Sequence, residues 1–402
     1  MSWRKITLED ICISIADGDH QPPPKSDNGI PFVTISNITN TNKLDFTDTM
    51  FVSQEYYDNL NDKRRAHTGD ILYSVVGSFG IPVFIDKEQK FVFQRHIAIL
   101  RPDPQKIVPR FLYYMMLSRD FYMKADTVAL GAAQRTISLT ALRKMEMEVP
   151  PYNVQEKIVK ILKPFDDLIE NNQKQIKLLE EAAQRLYKEW FVDLRFPGYE
   201  KVKIVNGVPE GWKTQRISKF GEIVTGKTPS TAKQQYYGGT IPFVKIPDMY
   251  NCIYPITTEV MLTTEGANTQ RNKFIPKGSI MVSCIATVGL VNIATESCQT
   301  NQQINSIILN DQQDLYYIFF TMKCMKNLLE GVGSNGATMT NVNRTKFGNI
   351  EVLCPTKEIC KLYYDFCKPI FIKIFDLSIS NNKLSQARDR LLPKLISGEL
   401  EV

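Results

Sequence analysis

Residues 221–228 have the spacing of a phosphate-binding loop, G-x-x-x-x-G-K-[ST]. That pattern binds phosphate when a strand precedes the first glycine and a helix begins at the lysine, because backbone N–H groups then point at the anion. Here the apolar Ile223 and Val224 occupy the would-be loop and predict a strand, and Pro229 follows where the helix should begin. The sequence therefore argues against an ATP or GTP site at this position.

Residues 149–152, Val-Pro-Pro-Tyr, approach the [DNS]PP[YFW] motif of amino-group DNA methyltransferases. That chemistry needs a polar side chain at the first position to hold the amino group of a flipped base, and Val149 has none. No glycine-rich cofactor loop follows a predicted strand either. The proline pair instead predicts the passage from a last strand into a helix.

The remaining candidates for catalysis are His20, His67, His96 and Asp70. The histidines are scattered, without the nearby serine, cysteine or aspartate that nucleophilic catalysis requires. Asp70 follows a glycine at a predicted strand start, whereas a nuclease would need several carboxylates converging on Mg²⁺. We therefore predict no catalytic residue and no metal ligand.

Eight cysteines are distributed unevenly, with only Cys12 in the first half of the chain. They form no CxxC pair, and Cys360 and Cys367 lie seven residues apart in a predicted helix. This distribution indicates buried, reduced thiols rather than disulfides or a metal site.

The length of 402 residues allows two substantial cores, and the composition, 43% hydrophobic and 23% charged, is typical of a globular protein. The net charge of +6 permits nucleic-acid binding without demonstrating it. No apolar run has the length of a membrane span, and residues 1–5 do not resemble a secretory signal. We therefore expect a cytoplasmic location.

An internal repeat is the most informative feature of the chain. The offset between partners drifts from 211 (Ile30 to Ile241) to 202 (Gly131 to Gly333), as small insertions and deletions in loops would produce. The matched segments are 3–5 with 212–214, 30–35 with 241–246, 69–74 with 278–283, 95–97 with 302–304, and 131–138 with 333–340. Five matches in one order predict two copies of one module.

Each copy begins with short, alternating segments between Gly, Pro and Asn, which predict strands and turns, and ends in a segment with a helical heptad period. The residues of the two apolar seams are Ile158, Leu162, Phe165, Ile169, Asn172, Ile176, Leu179, Ala183, Leu186 and Trp190, then Tyr363, Cys367, Ile370, Ile374, Leu377, Asn381, Leu384, Arg388, Leu391 and Leu395.

A seam this narrow favours one helical partner, and each helix is the obvious partner of the other. Asn172 and Asn381 lie at different levels of their seams, so they would pair best in one particular register. The alternative is two unconnected amphipathic helices, each covering its own domain.

Several segments resemble Type I restriction-modification specificity subunits, in the same order along the whole chain. They are Gly69-Asp70-Ile71-Leu72, Gly207-Val208-Pro209-Glu210-Gly211-Trp212, Gly226-Lys227-Thr228-Pro229-Ser230 and Leu395-Ile396-Ser397-Gly398-Glu399-Leu400. The resemblance implies an α+β fold with two repeated β-rich target-recognition domains, near residues 1–150 and 197–352. Spacer helices in 151–196 and 353–402 would form an antiparallel coiled coil with pseudo-two-fold symmetry.

The resemblance also implies partners: double-stranded DNA, two modification (methyltransferase) subunits and two restriction (endonuclease and translocase) subunits. S-adenosylmethionine, ATP and Mg²⁺ would serve those subunits, and this chain would bind none of them. A helix from Ile158 to Trp190 would be ~48 Å long, or ~14 base pairs of duplex. Two readers so spaced suit a bipartite target, which is asymmetric because the loops of the two copies differ.

Polar, glycine-bearing loops are the candidates for DNA contact, because Arg, Lys, Asn and Gln pair with base edges or hold phosphates. The predicted DNA-binding residues are Asp17, Gly18, His20, Gln21, Lys25, Arg95, Gln134 and Arg135 in the first copy, and Lys227, Thr228, Ser230, Lys245, Gln302, Gln303 and Asn335 in the second. For each one the alternative is an ordinary solvated loop residue. The alternatives for the whole chain are a protein-binding scaffold without DNA specificity and a single-chain enzyme.

Overall fold

The computed structural model describes residues 3–39, 41–77, 79–131, 135–333 and 341–402. The chain divides into two compact units. Unit 1 consists of Met1–Asp167 and Leu384–Val402, and unit 2 of Leu168–Lys383. Each unit therefore contains one copy of the sequence repeat together with part of each long helix.

Unit 1 contains nine strands in its described residues. They are β1 (Arg4–Thr7), β2 (Cys12–Asp17), β3 (Ile30–Val33), β4 (Met50–Val52), β5 (Ile71–Ser74), β6 (Pro82–Phe84), β7 (Val92–Phe93), β8 (Ile97–Pro102) and β9 (Glu146–Val149). Its helices are α1 (Leu8–Ile11), α2 (Gln54–Asp58), α3 (Pro109–Leu117), α4 (Arg119–Val128), α5 (Leu139–Arg143) and the first part of α6 (Tyr152–Tyr187).

Unit 2 begins within α6, which continues into a π-helical turn at Lys188–Val192. Its strands are β10 (Ile204–Val205), β11 (Val208–Pro209), β12 (Lys213–Arg216), β13 (Gly221–Thr225), β14 (Tyr237–Val244), β15 (Val260–Leu262), β16 (Ile280–Ile285), β17 (Thr287–Ile293), β18 (Gln299–Thr300), β19 (Ile304–Leu309) and β20 (Glu351–Cys354). Its helices are α7 (Thr264–Asn268), α8 (Leu315–Cys324), α9 (Lys326–Gly333), α10 (Arg344–Gly348) and most of α11 (Lys357–Ile396).

The strand order confirms the predicted repeat. Unit 1 has an antiparallel sheet β2-β8-β5-β6, a sheet β4-β3-β7 and a pair β1-β9. Unit 2 has β13-β19-β16-β17, β15-β14-β18 and β12-β20 in the same arrangement, and adds the hairpin β10-β11. In each three-stranded sheet the middle strand pairs antiparallel on one side and parallel on the other.

Both faces of each four-stranded sheet are buried. Successive side chains of a strand point to opposite faces. Ala98 and Leu100 of β8 therefore join the core under α3, whereas Ile97 and Ile99 join a second cluster on the other face. In β19 of unit 2, Ile307 and Ile304 divide between two clusters in the same way. The unbroken apolar runs of these strands follow from this double burial.

The last match of the sequence repeat, segment 131–138 with 333–340, is out of register by three residues at its end. Ile137 donates its backbone N–H to the Val75 oxygen at 2.9 Å, and Val342 donates in the same way to Cys284 at 2.9 Å. Ser138 and Asn343 then cap α5 and α10 with their side chains. Segment 136–138 therefore corresponds to 341–343 and not to 338–340, which lies outside the described residues.

The long helices pack antiparallel within unit 2, as predicted. Asn172 of α6 is 4% exposed and donates from Nδ2 to Oδ1 of Asn381 at 2.9 Å. Farther along α6, the backbone oxygen of Ala183 accepts from the Tyr363 hydroxyl at 3.1 Å. Residue numbers rise along α6 as they fall along α11, so the two helices run in opposite directions.

The prediction that each seam has a single helical partner is wrong. Phe371, which lies outside the predicted seam, is fully buried and stacks on Tyr316 of α8 with ring centroids 4.2 Å apart. In unit 1, Ile158 and Leu162 join the β-rich core. Several predicted seam residues are only partly buried, namely Phe165, Ile169, Ile176, Leu179, Leu186, Ile370, Leu384 and Leu391. The helices thus pair with each other and also cover the sheets.

A charged contact joins the helices in unit 1. Asp166 of α6 accepts from the Arg388 guanidinium at 2.7 Å and from the Tyr114 hydroxyl at 2.6 Å. Burial and the Asp166 carboxylate raise the pKa of the Tyr114 phenol well above its usual value. Arg388, a predicted seam residue, is therefore a cation that forms an ion pair with Asp166 on the facing helix.

Replacing Asn172 by Leu should destabilise the chain, because the Asn381 amide loses its partner in a partly buried seam. We expect the free energy of unfolding in urea to fall by about 1–3 kcal/mol. The double change Asn172→Leu with Asn381→Leu should recover most of that loss, because no polar group is then left unpaired. Asn171→Leu, on the exposed face of the same helix, is the control. Equal stability of the Asn172→Leu and Asn171→Leu variants would contradict a stabilising amide pair.

Candidate nucleic-acid interface

The loop after β13 in unit 2 is held tightly against the turn that precedes β19. Gly226 donates its N–H to the Ile304 oxygen at 3.1 Å, and Lys227 donates to the Thr300 oxygen at 2.9 Å. A Cβ on Gly226 would lie 2.2 Å from the Asn301 oxygen, so only glycine fits there. The predicted strand at 223–224 is confirmed. Because both N–H groups are already paired, neither of them can donate to a phosphate.

Two buried glutamines hold this loop in place through hydrogen bonds. Gln270 is 4% exposed and donates from Nε2 to the Lys227 oxygen at 2.5 Å and to Oε1 of Gln299 at 2.8 Å. Gln299 is fully buried and donates to the Ala267 oxygen at 2.9 Å. The Lys227 backbone is thus bonded on both sides while its side chain is exposed. Sequence reasoning missed both glutamines, because amide side chains are ordinarily at the surface.

The side chains predicted in this loop and in the facing turn meet at the surface. The Thr228 hydroxyl donates to Oε1 of Gln302 at 2.7 Å. In the same turn, Asn301 donates from Nδ2 to Oε1 of Gln303 at 2.9 Å. Lys227 belongs to the same cluster through its backbone bond to the turn.

The other predicted residues of unit 2 lie around this cluster or outside the described residues. Asn301 donates its backbone N–H to the Val244 oxygen, which brings Lys245 beside the turn. The Lys245 ammonium is paired with Glu259 at 2.9 Å, so its charge is partly neutralised. Ser230 is exposed two residues beyond Thr228. Asn335 lies outside the described residues.

We call this contact, between the loop after the edge strand and the turn before the next strand of the sheet, the junction. Unit 1 has the same junction after β2. Gly18 donates to the Ile97 oxygen at 3.3 Å, and a Cβ there would lie 2.0 Å from the Phe93 oxygen. Arg95, which is exposed, donates its backbone N–H to the Asp19 oxygen at 2.9 Å. The loop after the edge strand and the turn before the central strand therefore meet in both units.

Four charged or titratable side chains at the unit 1 junction contact one another, namely Asp17, Asp19, His20 and Arg64. His20 contacts Oδ2 of Asp17 through Nε2 at 2.8 Å. Arg64 reaches Asp17 at 3.5 Å and Asp19 at 3.4 Å. The Tyr56 hydroxyl donates to Asp19 at 2.9 Å, and burial together with this carboxylate raises the pKa of Tyr56 to about 12. Tyr56 and Arg64 were not predicted, because they lie 37 and 45 residues from Asp19 in sequence. Asp19 lies in the predicted loop but was not among the predicted residues.

The remaining unit 1 predictions have different surroundings. Gln21 and Lys25 are exposed in the segment that follows the junction. Arg135 is bound to the Asp126 carboxylate at 2.5 Å and to the Asp126 backbone oxygen. Gln134 lies outside the described residues. The structure thus places Asp17, Gly18, His20 and Arg95 together, and its hydrogen bonds tie Arg135 to α4.

Asp70 is a buried residue that stabilises a turn. Its side chain is 2% exposed, accepts the His67 backbone N–H at 2.9 Å and contacts Arg101 at 3.2 Å. Burial raises the pKa of Asp70, while Arg101 lowers it. The equivalent Ser279 bonds to the Pro276 oxygen at 2.7 Å. Both residues fasten a turn at the start of a strand.

The cysteines are unpaired in the structure, and the prediction that they are buried holds for four of the eight. Cys12, Cys252 and Cys354 are only partly buried. Cys284, Cys298, Cys360 and Cys367 are buried, whereas Cys324 is exposed. Burial raises the pKa of the Cys284 and Cys298 thiols to about 12. Within the described residues, no three His, Cys, Asp or Glu side chains are grouped as a metal site would require. Helices with the length and apolarity of a membrane span are likewise absent from that part of the chain.

Comparison with known proteins identifies the family. A family model described as "Type I restriction modification DNA specificity domain" matches residues 2–181 and 209–384, which are the two copies of the repeat. The Type I restriction enzyme HindI specificity subunit of Haemophilus influenzae is 30% identical, with 99% of each chain covered. A protein of Methanocaldococcus jannaschii described as a putative Type I restriction enzyme MjaX specificity subunit is 26% identical over 100% of this chain and 94% of its own.

A solved structure shares the fold. The crystal structure of the Type I restriction-modification S subunit from M. genitalium aligns with a TM-score of 0.56 at 14% identity, over 98% of this chain and 96% of that chain. The alignment spans both repeats and both long helices, so it supports the predicted α+β fold with paired long helices. The chain belongs to the family of Type I restriction-modification DNA specificity subunits.

Proposed function

We propose that this chain is the sequence-reading subunit of a Type I restriction-modification complex and that each β-rich copy binds one half of a bipartite DNA target. The observation that carries the proposal is the junction that both units build, at the end of the edge strand and the start of the central strand. It presents polar side chains on a backbone that is fixed by hydrogen bonds. The alternative was a protein-binding scaffold without DNA specificity. It does not explain why both copies match a DNA specificity domain.

The two junctions differ in chemistry, which supports an asymmetric target. Unit 1 offers His20 and Arg95 beside paired carboxylates, and unit 2 offers Lys227 and Gln302 with a threonine hydroxyl. Arginine favours guanine and glutamine favours adenine in the major groove, so two such surfaces prefer different base pairs. We therefore propose two unlike half-sites separated by base pairs that neither copy reads.

The chemistry of modification and cleavage would lie in partner subunits. The family resemblance implies two modification subunits that use S-adenosylmethionine and two restriction subunits that use ATP and Mg²⁺. In the proposed function this chain directs those subunits to the target and binds no cofactor itself. Residues 1–150 and 197–352 would be the two recognition domains, with spacer helices in 151–196 and 353–402.

Exchanging residues 1–150 for the equivalent domain of another specificity subunit should change one half of the target only. The reason is that each junction is built within its own unit. Methylation mapping in cells that carry the exchanged chain with its modification subunit measures the result. A change in both half-sites would argue against independent readers, and methyl transfer by the purified chain alone would overturn the non-catalytic role.

Replacing Lys227 by Ala should weaken binding of duplex DNA by a similar factor for all sequences. Its backbone is fixed and its ammonium is exposed, which suits contact with a phosphate. The slope of log K against log salt concentration should become shallower by about one. Lys219→Ala is the matched control, because Lys219 is exposed at the opposite end of the same strand. A loss confined to one base position would instead indicate guanine reading, and unchanged binding would remove Lys227 from the interface.

A further inference from the structure

The amide of Gln302 is an oriented hydrogen-bonding group at the surface of unit 2. Gln302 is exposed in the turn before β19, and its Oε1 accepts from the Thr228 hydroxyl at 2.7 Å. An amide oxygen has two lone pairs and an amide nitrogen has two hydrogens. With one lone pair bound to Thr228, Gln302 can still present an acceptor and a donor side by side.

The backbone that carries Thr228 is held in place by the preceding residue. Lys227 donates its N–H to the Thr300 oxygen at 2.9 Å and accepts from Gln270 at its carbonyl oxygen. Gln270 is bonded in turn to the buried Gln299. A ligand that binds Gln302 therefore meets an amide whose rotation is already restricted, which reduces the entropy lost on binding.

The neighbouring side chains are less suited to reading a base. Gln303 is half-buried, and its Oε1 accepts from Asn301. Its backbone oxygen accepts from Cys284 of β16 at 2.8 Å, which ties it to the sheet. The Lys245 ammonium is paired with Glu259. Gln302 thus combines exposure with a fixed amide orientation.

We propose that Gln302 reads an adenine in the half-site bound by unit 2 and that Thr228 is its positioning residue. In the major groove, adenine presents the N6 donor beside the N7 acceptor, and a glutamine amide matches both atoms at once. The Thr228 hydroxyl holds the amide in the orientation that this bidentate contact requires. The inference rests on the proposed function, because it assumes that this surface meets DNA.

The test selects bound sequences from a pool of duplex DNA with a randomised segment. It uses the full chain co-purified with the modification subunit of its system. For the unaltered chain we expect a bipartite motif with adenine at one position of the half-site that residues 197–352 determine. Gln302→Ala should reduce the preference for adenine at that position by about tenfold or more, which corresponds to 1.4 kcal/mol or more. The other positions should keep their preferences.

Three further variants separate reading from folding. Gln302→Glu should move the preference from adenine toward cytosine, because a carboxylate accepts from cytosine N4. Thr228→Val should weaken discrimination at the same position, and Thr228→Ser should retain it, because serine keeps the hydroxyl. Gln312→Ala is the matched control, since Gln312 is exposed at the opposite end of β19.

The outcomes distinguish this inference from the proposed function. A bipartite motif that is unchanged in Gln302→Ala, or altered only in the other half-site, overturns the adenine contact and leaves the proposed function standing. Equal effects of Thr228→Ser and Thr228→Val overturn the positioning role. If the unaltered chain selects no motif at all, the proposed function fails and the inference fails with it.

Discussion

The close approach of two backbone segments at a glycine is the constraint on which the junctions of both units depend. At Gly226 a side chain would collide with the Asn301 and Thr300 oxygens, and at Gly18 it would collide with Phe93. Without that approach the loop could not bond to the turn, and the polar residues of the two segments would lie apart. Glycine is required at this position because it has no Cβ, and the two segments can then approach closely enough to form backbone hydrogen bonds.

The repeat and most of its elements could be predicted, because strands and helices leave local patterns. Two adjacent apolar residues indicate the strand at 223–224. Heptad spacing places one asparagine in each seam, so Asn172 and Asn381 would pair in one particular register. The last match of the repeat failed because it compared side-chain types in a polar segment. The backbone partners of Ile137 and Val342, which define the true correspondence, are 62 and 58 residues away in sequence, at Val75 and Cys284.

The supporting residues of the site could not be predicted for the same reason. Gln270 reaches the Lys227 oxygen across 43 residues, and Arg64 reaches Asp19 across 45. A glutamine or an arginine in a loop is expected to be solvated, and only tertiary contacts make it buried or paired. The prediction of the helix seam failed for a related reason. Phe371 lies outside the heptad pattern and is buried against Tyr316 of α8, a contact that the sequence of α11 alone does not reveal.

The residues that hold each junction together differ from the residues whose polar side chains are exposed on it. The junction is held by backbone bonds and a glycine in both units, so it does not require any particular side chain at the exposed positions. Unit 1 can therefore carry the exposed His20 and Arg95 where unit 2 carries the exposed Lys227 and Gln302, with the strand order unchanged. Substitutions at these positions have little buried area or core packing to disturb, so their stability cost should be small. A repeated scaffold of this kind can carry two different sets of exposed polar side chains while the strands around each junction stay similar.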